Sequence, residues 1–302
     1  MPQGPTRVAV TNSAAIGNAW FVNETTGLDT NVGSAASPFA TLTAAQAAAV
    51  ANNNDVVYLV GSVHVTATVV WAKAGVSLVG LAAPSNNTRA RISATGATPF
   101  SPLVNVTAQN CSFVNLGTFH GGFTGATGSQ VCWAEAGGRN FYSNVQFFGG
   151  GDATTAALAG MRSLTIGGQG ENLFVGCTIG LDTIVRATNA NASLEIIAGS
   201  TRNTIRSSEF PAYCTAAGDT FVTIASGGMD RYLILDGCVF QNFGGTSLTA
   251  AITNAGGSPA GNVLVTPTCI FVGATAIATT GAVYVSGAVP TATTSNIGIL
   301  AT

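Results

Sequence analysis

Residues 203–240 read NTIRSSEFPAYCTAAGDTFVTIASGGMDRYLILDGCVF and contain one pattern twice. Each copy has a short hydrophobic segment, then a small residue, and then a phenylalanine two positions after the small residue. Ser208 and Phe210 take these places in the first copy, and Cys238 and Phe240 take them in the second. The two phenylalanines are 30 residues apart, and a repeat of this length indicates a stack of equivalent structural units.

The repeat extends in both directions from this stretch. The phenylalanine column consists of Phe119, Phe148, Ile179, Phe210, Phe240 and Phe271, separated by 29, 31, 31, 30 and 31 residues. The column two positions earlier consists of Gly117, Gln146, Cys177, Ser208, Cys238 and Cys269. Residues two apart in a strand share a face, so both columns are predicted to point into the interior. The residues between them, predicted to face outward, are Thr118, Phe147, Thr178, Glu209, Val239 and Ile270.

Similar three-residue segments begin the units at nearly the same interval. They are Asn110–Ser112, Asn140–Tyr142, Asn172–Phe174, Asn203–Ile205, Tyr232–Ile234 and Asn262–Leu264. One unit of short strands cannot bury its own hydrophobic face, but stacked units give each strand a neighbour at ~4.8 Å and form a continuous core. The sequence therefore predicts an all-β chain that forms a right-handed parallel β-helix. This solenoid has about 30 residues per coil and a short N-terminal capping helix.

Two other repeat architectures fit the pattern less well. A leucine-rich or helical solenoid needs a helical segment in every repeat. No long amphipathic pattern of helical period lies between Asn110 and Phe271. A propeller blade of four strands needs roughly 40 or more residues, which is longer than the observed repeat. The propeller stays an alternative to the β-helix.

The composition is typical of a β-rich protein with many turns. Only 7% of the residues are charged, while 47% are hydrophobic, which is enough for a large core and excludes a disordered chain. No apolar run reaches the length of a membrane span, and Met1–Gly4 lacks the basic and apolar character of a signal peptide. We therefore expect a soluble protein that is synthesised in the cytoplasm, without a signal peptide and without a membrane partner.

The charges also limit the partners. The net charge is −2, with Lys73 as the single lysine, so no basic stripe is present for nucleic acid. Such a low charge predicts that copies of the chain or a larger assembly cover part of the surface. The six cysteines form no C-x-x-C pair and have no histidine at ligand spacing, so reduced thiols packed in the core are favoured over a zinc site.

The chain divides into four predicted parts. They are an N-terminal arm (1–18), an N-terminal strand and capping helix (19–54), the parallel β-helix (55–285), and a C-terminal cap or docking segment (286–302). The helix is predicted to begin near Thr43, whose hydroxyl can cap it, and to end at Asn52–Asn54. Its alanine-rich surface suits the closing of an open end of the stack.

The N-terminal part contains a characteristic succession of motifs. These are Trp20–Asn23, Gly27–Asp29, Ser37–Leu42, an alanine-rich helix and Asp55–Val60. The succession resembles the amino-terminal cap and first coil of pectin-lyase-like parallel β-helix proteins over roughly residues 20–81, whereas the later chain matches only by its period. Many such proteins are bacteriophage tailspikes, decoration proteins and other virion components. The resemblance implies the fold and, as an expectation, a place in a virion.

Carbohydrate-cleaving members of the pectin-lyase-like β-helix proteins use clustered acidic residues on one outer face. This chain has 12 acidic residues and no D-x-D, D-D or E-x-x-E group. Asp152 and Asp182, 30 residues apart, form the best pair for calcium binding or acid–base chemistry, but aspartates at such positions more often stabilise turns.

The remaining charged residues suggest no reaction. Arg139, Glu171, Arg202 and Arg231 follow one another by about one coil and are predicted to form a surface charge ladder. His64 and His120 lack a nearby nucleophile with an acidic partner. We therefore predict no catalytic, cofactor-binding or metal-binding residue, no cofactor, and a chain that is not an enzyme.

The functional prediction is a virion structural protein, namely a capsid decoration (cement) protein of a bacteriophage. It is expected to form a homotrimer and to attach to the major capsid protein or another virion protein. The alternative is a tailspike or fibre protein that binds or cleaves a bacterial surface polysaccharide, with Trp133, Tyr142 and Tyr232 as possible sugar platforms. A bacterial surface adhesin is a third hypothesis, which the missing signal peptide and the six cysteines weaken.

Overall fold

The structure is a computed structural model that describes residues 17–96, 98–121, 128–197, 199–255, 262–278 and 283–285. Within these residues the chain winds into a parallel β-solenoid of about seven turns, with roughly 30 residues in each turn. The predicted all-β parallel β-helix is thereby confirmed. The predicted arm and the predicted C-terminal segment lie outside the described residues, apart from Gly17 and Asn18.

Two parallel sheets form the walls of the solenoid in its described part. The larger sheet has 17 strands: β1 Ala19–Val22, β2 Val56–Val60, β3 Ser62–Val65, β5 Ser77–Leu81, β6 Arg91–Ala94, β8 Ser112–His120, β10 Phe141–Gly150, β12 Leu173–Val175, β13 Thr178–Ile179, β14 Leu181–Arg186, β16 Asn203–Arg206, β17 Glu209–Cys214, β19 Tyr232–Asp236, β20 Val239–Asn242, β22 Asn262–Val265, β23 Ile270–Val272 and β24 Val283–Val285. The smaller sheet has seven strands: β4 Val69–Trp71, β7 Val104–Val106, β9 Val131–Glu135, β11 Arg162–Ile166, β15 Ala192–Ile196, β18 Thr220–Ile224 and β21 Ile252–Asn254.

The predicted phenylalanine column is correct from Ile179 onward. Phe210 pairs with Phe240, and Phe240 pairs with Phe271 in the next coil. The ring centroids are 4.4 Å apart in the first pair and 4.5 Å apart in the second, and both pairs are stacked. The intervening Glu209 and Ile270 are exposed, as predicted for the outward face. Stacked aromatic rungs therefore fill this half of the core.

The column is wrong by one residue in the earlier coils. Phe147, not Phe148, pairs with Ile179, and Thr118 pairs with Phe147. Both Thr118 and Phe147 are fully buried, although they were predicted to face outward. The coil before Ile179 contains one residue more than the spacing suggested, and a shift of one residue exchanges the two faces of a strand. Phe148 is also buried, because its ring packs against Phe119 at a centroid distance of 5.2 Å.

The small-residue column shifts in the same way. The interior positions in these two coils are taken by Leu116 and Val145 instead of Gly117 and Gln146. Gln146 is nevertheless buried, because its side chain accepts a hydrogen bond from the backbone N–H of Thr88 at 2.9 Å and donates to the carbonyl of Ser85. The loop between β5 and β6 thus covers a polar residue on the outer wall.

Buried asparagines form a ladder along one corner of the solenoid. The Oδ1 atom of Asn140 accepts from the backbone N–H of Cys111 at 2.8 Å, that of Asn172 accepts from Asn140 at 2.9 Å, and that of Asn203 accepts from Asn172 at 3.1 Å. These side chains satisfy backbone groups that the turn would otherwise leave unpaired. The asparagines that begin several predicted units are therefore corner residues, and each one links two coils.

The N-terminal helix, Leu42–Ala48, begins two residues earlier than predicted and ends at Ala48, before the predicted end at Asn52–Asn54. Its N-cap is Thr41, not Thr43, because Thr41 Oγ1 accepts from the backbone N–H of Ala44 at 3.2 Å. Lys73 Nζ donates to the carbonyls of Ala47 at 2.8 Å and Ala49 at 2.6 Å, which places the single lysine at the C-terminal end of the helix. No helix among the described residues is long and apolar enough to cross a membrane.

Asp55 connects this helix to the first strands. Its carboxylate accepts from the backbone N–H of Val50 at 2.8 Å and of Asn18 at 2.7 Å, and from Trp20 Nε1 at 3.0 Å. Burial alone would raise the pKa of Asp55, but these hydrogen bonds outweigh it and lower the pKa from 3.8 to about 2. The carboxylate is therefore charged near neutral pH and holds the N-terminal cap together.

All six cysteines are free thiols. Five of them are fully buried, and Cys269 is half-buried. Burial raises the pKa of Cys132 and of Cys214 to about 11, so these thiols stay protonated near neutral pH.

Candidate functional site

A groove lies on the outer face of the larger sheet, across several coils. Its volume is about 230 Å³. The residues that line it are Asn86, Phe148, Thr178, Gly180, Leu181, Asp182, Glu209, Pro211, Val239, Gln241 and Phe243. Asn86 comes from the loop that covers the outer wall, and the other residues come from four successive coils. The groove therefore exists only because the coils stack in this register.

Two local features shape the groove. Gly180 adopts a φ of +128° at the corner between β13 and β14, where a Cβ atom would lie 2.2 Å from the carbonyl oxygen of Pro211. Beyond this corner, Leu181 pairs with Ala212 and Arg186 pairs with Cys214, so the four residues 182–185 of β14 lie opposite the single residue Tyr213. Residues 182–185, three more than the facing strand has between the same pairs, form a bulged segment that carries Asp182.

The groove combines acceptors with an exposed aromatic ring. Asp182 and Glu209 are both exposed, and neither forms an ion pair within the described residues. Gln241 contributes an amide, and 50% of Phe243 is exposed. Among the residues that the structure describes, no lysine or arginine lines the groove. The site can therefore accept hydrogen bonds from hydroxyl groups while an apolar face packs on the ring.

The two predicted acidic candidates have different surroundings. Asp152 is the N-cap of the short helix Ala153–Ala156, where its carboxylate accepts from the backbone N–H of Thr154 at 2.9 Å and from Thr155 Oγ1 at 2.7 Å. Asp152 thus has the turn-stabilising role that aspartate often has. Asp182 lines the groove together with Glu209, not with Asp152. From the sequence, Glu209 was predicted only to face outward.

The predicted charge ladder is only partly formed. Glu171 accepts from Arg139 Nε at 2.7 Å and pairs with Arg202 Nη2 at 2.5 Å, whereas Arg231 pairs with Asp230 instead. These groups are exposed at the corner of the solenoid, and such pairs contribute little to stability. They lie away from the groove lining.

The histidines differ in environment. His64 is exposed, and its Nδ1 lies 2.7 Å from Glu24 Oε2. His120 is buried in the wall, where burial lowers its pKa to about 4. Burial therefore keeps the His120 imidazole neutral at physiological pH.

The aromatic residue of the groove was not among the predicted sugar platforms. Trp133 and Tyr142 are fully buried in the core, and Tyr232 is half-buried outside the groove lining. Phe243 follows Asn242 and precedes Gly244–Gly245, a turn context that indicates an exposed position. Phe243 does not belong to the 30-residue repeat, so the repeat pattern did not identify it as a functional residue.

A second polar cluster lies inside the solenoid. Glu135 takes a position between Val106 and Ile166 in an interior column of the smaller sheet. Its carboxylate accepts from Tyr142 Oη, from Asn140 Nδ2 at 3.0 Å and from the backbone N–H of Gly138 at 2.7 Å. This cluster has no opening to solvent, so it acts on stability. Among the described residues, no three histidine, cysteine or acidic groups lie together as a metal site.

Comparison with known proteins yields one similar solved structure and no sequence relative. No family model and no curated protein matches the chain. The crystal structure of pectate lyase Pel9A superposes with a TM-score of 0.50 and 12% sequence identity, over 90% of this chain and 81% of that one. At this identity the similarity shows the parallel β-helix fold alone.

The comparison corrects one prediction. The chain was predicted not to be an enzyme, but the solved structure with the same architecture is a pectate lyase, which is an enzyme. The absence of adjacent acidic motifs was the wrong criterion, because stacking brings carboxylates from different coils to one surface. Asp182 and Glu209, which line one groove from neighbouring coils, are an example.

Proposed function

We propose that this chain is a bacteriophage virion protein of the tailspike or fibre type, whose β-helix binds a bacterial surface polysaccharide in the groove. The observation that carries the proposal is the meeting of two carboxylates, the Gln241 amide and the exposed Phe243 ring in one groove. The motifs between Trp20 and Val60, which resemble the cap of pectin-lyase-like virion proteins, support the assignment to a virion.

The chemistry of the groove suits a sugar chain. Sugar hydroxyls donate hydrogen bonds to Asp182 and Glu209, the Gln241 amide both donates and accepts, and the apolar face of a sugar ring packs on Phe243. The volume of about 230 Å³ is below that of typical enclosed ligand pockets, which suits a short stretch of an extended polymer. Two carboxylates without a cationic neighbour repel uronic acids, so the proposal favours a neutral or amino-sugar polymer.

Binding should depend on the groove residues. We expect Phe243→Ala and Gln241→Ala each to weaken binding of a neutral host polysaccharide about tenfold, which corresponds to about 1.4 kcal/mol. Isothermal titration calorimetry with neutral and uronic-acid-containing polysaccharides measures this effect. Leu81→Ala is the matched control, because Leu81 is exposed on the same sheet and does not line the groove.

The proposal fails if the wild-type protein binds none of these polymers, or if Leu81→Ala weakens binding as much as Phe243→Ala does. The bound polymer is then assayed for new chain ends. Cleavage that disappears in both Asp182→Ala and Glu209→Ala identifies acid–base chemistry in the groove, whereas an intact polymer identifies a receptor-binding role.

A second candidate function is decoration of a bacteriophage capsid by a homotrimer. It is favoured by a band of exposed hydrophobic residues on the last coils, where Ile270 is 54% exposed and Val272 is 46% exposed. These side chains continue the outward columns that contain Val239 and Gln241 in the preceding coil. Hydrophobic residues grouped in this way on a surface with few charges are typical of a protein contact. The proposed occupant is a second copy of the chain.

The oligomeric state tests this candidate. We expect light scattering to give the mass of three chains for the wild type and of one chain for Ile270→Asp combined with Val272→Asp, because each buried carboxylate would lack a partner. Val70→Asp is the control, since Val70 is equally exposed at the opposite end of the solenoid. A monomeric wild type, or a double variant that remains trimeric, contradicts the candidate.

A further inference from the structure

We propose that Cys238 and Cys269 form an oxidation site, at which a hydroperoxide converts the two thiols into a disulfide that links two successive coils. The two residues directly precede β20 and β23, and these strands pair in register, with Val239 opposite Ile270. Cys238 and Cys269 therefore lie opposite each other at the same position of the coil. The inference rests on these two thiols and does not depend on what the groove binds.

The register brings the two thiols close together. Cys269 Sγ accepts a hydrogen bond from the backbone N–H of Cys238 at 3.4 Å, so this sulfur points at the coil that contains the other cysteine. The rings of Phe240 and Phe271, two positions further along, are parallel within 2°, which shows that the two coils are aligned here. Neighbouring strands lie ~4.8 Å apart, and disulfides span Cα distances of about 4.4–6.8 Å. The bond can therefore form without a large movement of the backbone.

The other four cysteines lack a thiol in register with them. The residues opposite them in an adjoining coil are Asn140 for Cys111, Ser163 for Cys132, Ser208 for Cys177 and Arg186 for Cys214. All six cysteines lie in the described part of the chain. Burial raises the pKa of each of these four thiols to about 11 or about 12, so they stay protonated near neutral pH and react slowly.

Cys269 is the thiol that a peroxide should oxidise first. It is half-buried, whereas Cys238 is fully buried. Hydrogen bonds from the thiol of Cys238, from the backbone N–H of Cys238 and from the hydroxyl of Thr266 lower the pKa of Cys269, although burial opposes this shift. The thiolate is the nucleophile in thiol oxidation, so a low pKa together with partial exposure selects the cysteine that reacts.

Hydrogen peroxide balances the reaction without a further reactant. The Cys269 thiolate attacks one peroxide oxygen, the O–O bond breaks, and the released hydroxide takes up a proton, which leaves a sulfenic acid on Cys269. Cys238 then loses its thiol proton and attacks the Cys269 sulfur, the S–O bond breaks, and the hydroxyl leaves as water. The pKa of Cys238 is raised chiefly by its hydrogen bond to the Cys269 sulfur, and the first step removes that thiolate. Two thiols are thus oxidised to one disulfide, while one peroxide is reduced to two water molecules.

The disulfide would close a loop that contains part of the groove. Residues 239–268 lie between the two cysteines and include Gln241 and Phe243, which both line the groove. A cross-link of this kind restricts the unfolded chain more than the folded one. Oxidation should therefore stabilise the coil that carries these two groove residues.

Mass spectrometry tests the site directly, because both cysteines lie in one tryptic fragment. No lysine or arginine follows Arg231, so trypsin releases residues 232–302, which contain Cys238 and Cys269 and no other cysteine. The folded full-length protein is treated with hydrogen peroxide, and the remaining thiols are alkylated after denaturation. We expect the fragment to carry two alkyl groups before treatment and none after it, with a mass lower by two hydrogen atoms than that of the reduced fragment. The other four cysteines should remain alkylated.

Serine variants connect the disulfide to stability. Cys238→Ser and Cys269→Ser should each abolish the disulfide. Cys177→Ser is the matched control, because Cys177 lies in the same column two coils earlier, opposite Ser208, and this variant should keep the disulfide. Peroxide treatment should raise the Tm of the wild type and of Cys177→Ser by about 3 °C or more, and should leave that of Cys238→Ser unchanged.

A fragment 232–302 that still carries two alkyl groups after peroxide treatment overturns the proposal. A fragment that gains oxygen atoms, or that is linked to a second fragment instead of closing on itself, overturns it as well. A disulfide that forms without a rise in Tm contradicts the stabilising role. Because the mass measurement uses the wild type, the test stays decisive even if a serine variant does not fold.

Discussion

Phe240→Ala is expected to lower the free energy of unfolding by ~3–5 kcal/mol. Phe240 is fully buried, and its ring stacks on Phe210 at 4.4 Å and on Phe271 at 4.5 Å. Removal of the ring loses its burial and leaves a cavity between two rigid rungs, which the in-register backbone pairing prevents from collapsing. Urea denaturation monitored by circular dichroism measures the change.

Phe243→Ala is the matched control for this prediction. The two phenylalanines are three positions apart, but Phe243 is half exposed on the outer face, so its replacement should change the free energy of unfolding by less than about 0.5 kcal/mol. If Phe240→Ala is no more destabilising than Phe243→Ala, the stacked interior column is not a main source of stability.

The second large effect is expected from Glu135→Ala, with a loss on the order of 3–5 kcal/mol. The carboxylate is the common acceptor for Tyr142, Asn140 and the backbone of Gly138 inside the solenoid. Its removal leaves these donors unpaired in the core, at ~1–3 kcal/mol for each group. Glu209→Ala is the control in the same denaturation experiment, because Glu209 is exposed and should be nearly neutral for stability.

The stability of this cluster should also depend on pH. Burial raises the pKa of Glu135, while the hydrogen bonds from Tyr142, Gly138 and Asn140 oppose the shift. The folded state therefore holds the proton more tightly than the unfolded chain does. The contribution of this group is complete below the unfolded pKa and is lost as the pH rises through the folded pKa.

Glu135→Gln isolates this pH effect, because the amide keeps the shape of the side chain and does not ionise. We expect the free energy of unfolding of Glu135→Gln to fall less than that of the wild type as the pH rises from ~4.5 toward neutral. Parallel pH profiles for the two proteins would show that Glu135 has the same pKa in the folded and unfolded states.

The burial of Glu135 could not be predicted from the local sequence, because it depends on contacts between different parts of the fold. In sequence, Glu135 follows Val131–Ala134 and appears as an ordinary strand end. It is buried because the strands above and below place Val106 and Ile166 at the same position. Tyr142 of β10 and Asn140, which precedes that strand, also face it. A local pattern does not contain these contacts, which depend on how one coil folds back on itself.

The residues that line the groove could not be predicted from the sequence for a related reason. Asp182 was considered as a candidate because of its distance from Asp152, yet the residues that accompany it in the groove include Glu209 and Phe243. Their approach depends on the corner at Gly180 and on the surplus residues in β14. The number of residues between two columns can be read from the sequence, but the place where surplus residues leave the wall cannot.

By itself, the sequence determined the architecture. A single unit of about 30 residues cannot bury its hydrophobic face, but a stack of equivalent coils can. It also identified Ile179, Phe210, Phe240 and Phe271 as one interior column. Only the tertiary structure decided the register of the earlier coils, where Phe147 replaces Phe148, and the composition of the groove. A shift of one residue reverses the faces of a strand at almost no change in spacing, so the packing of neighbouring coils has to select between the two arrangements.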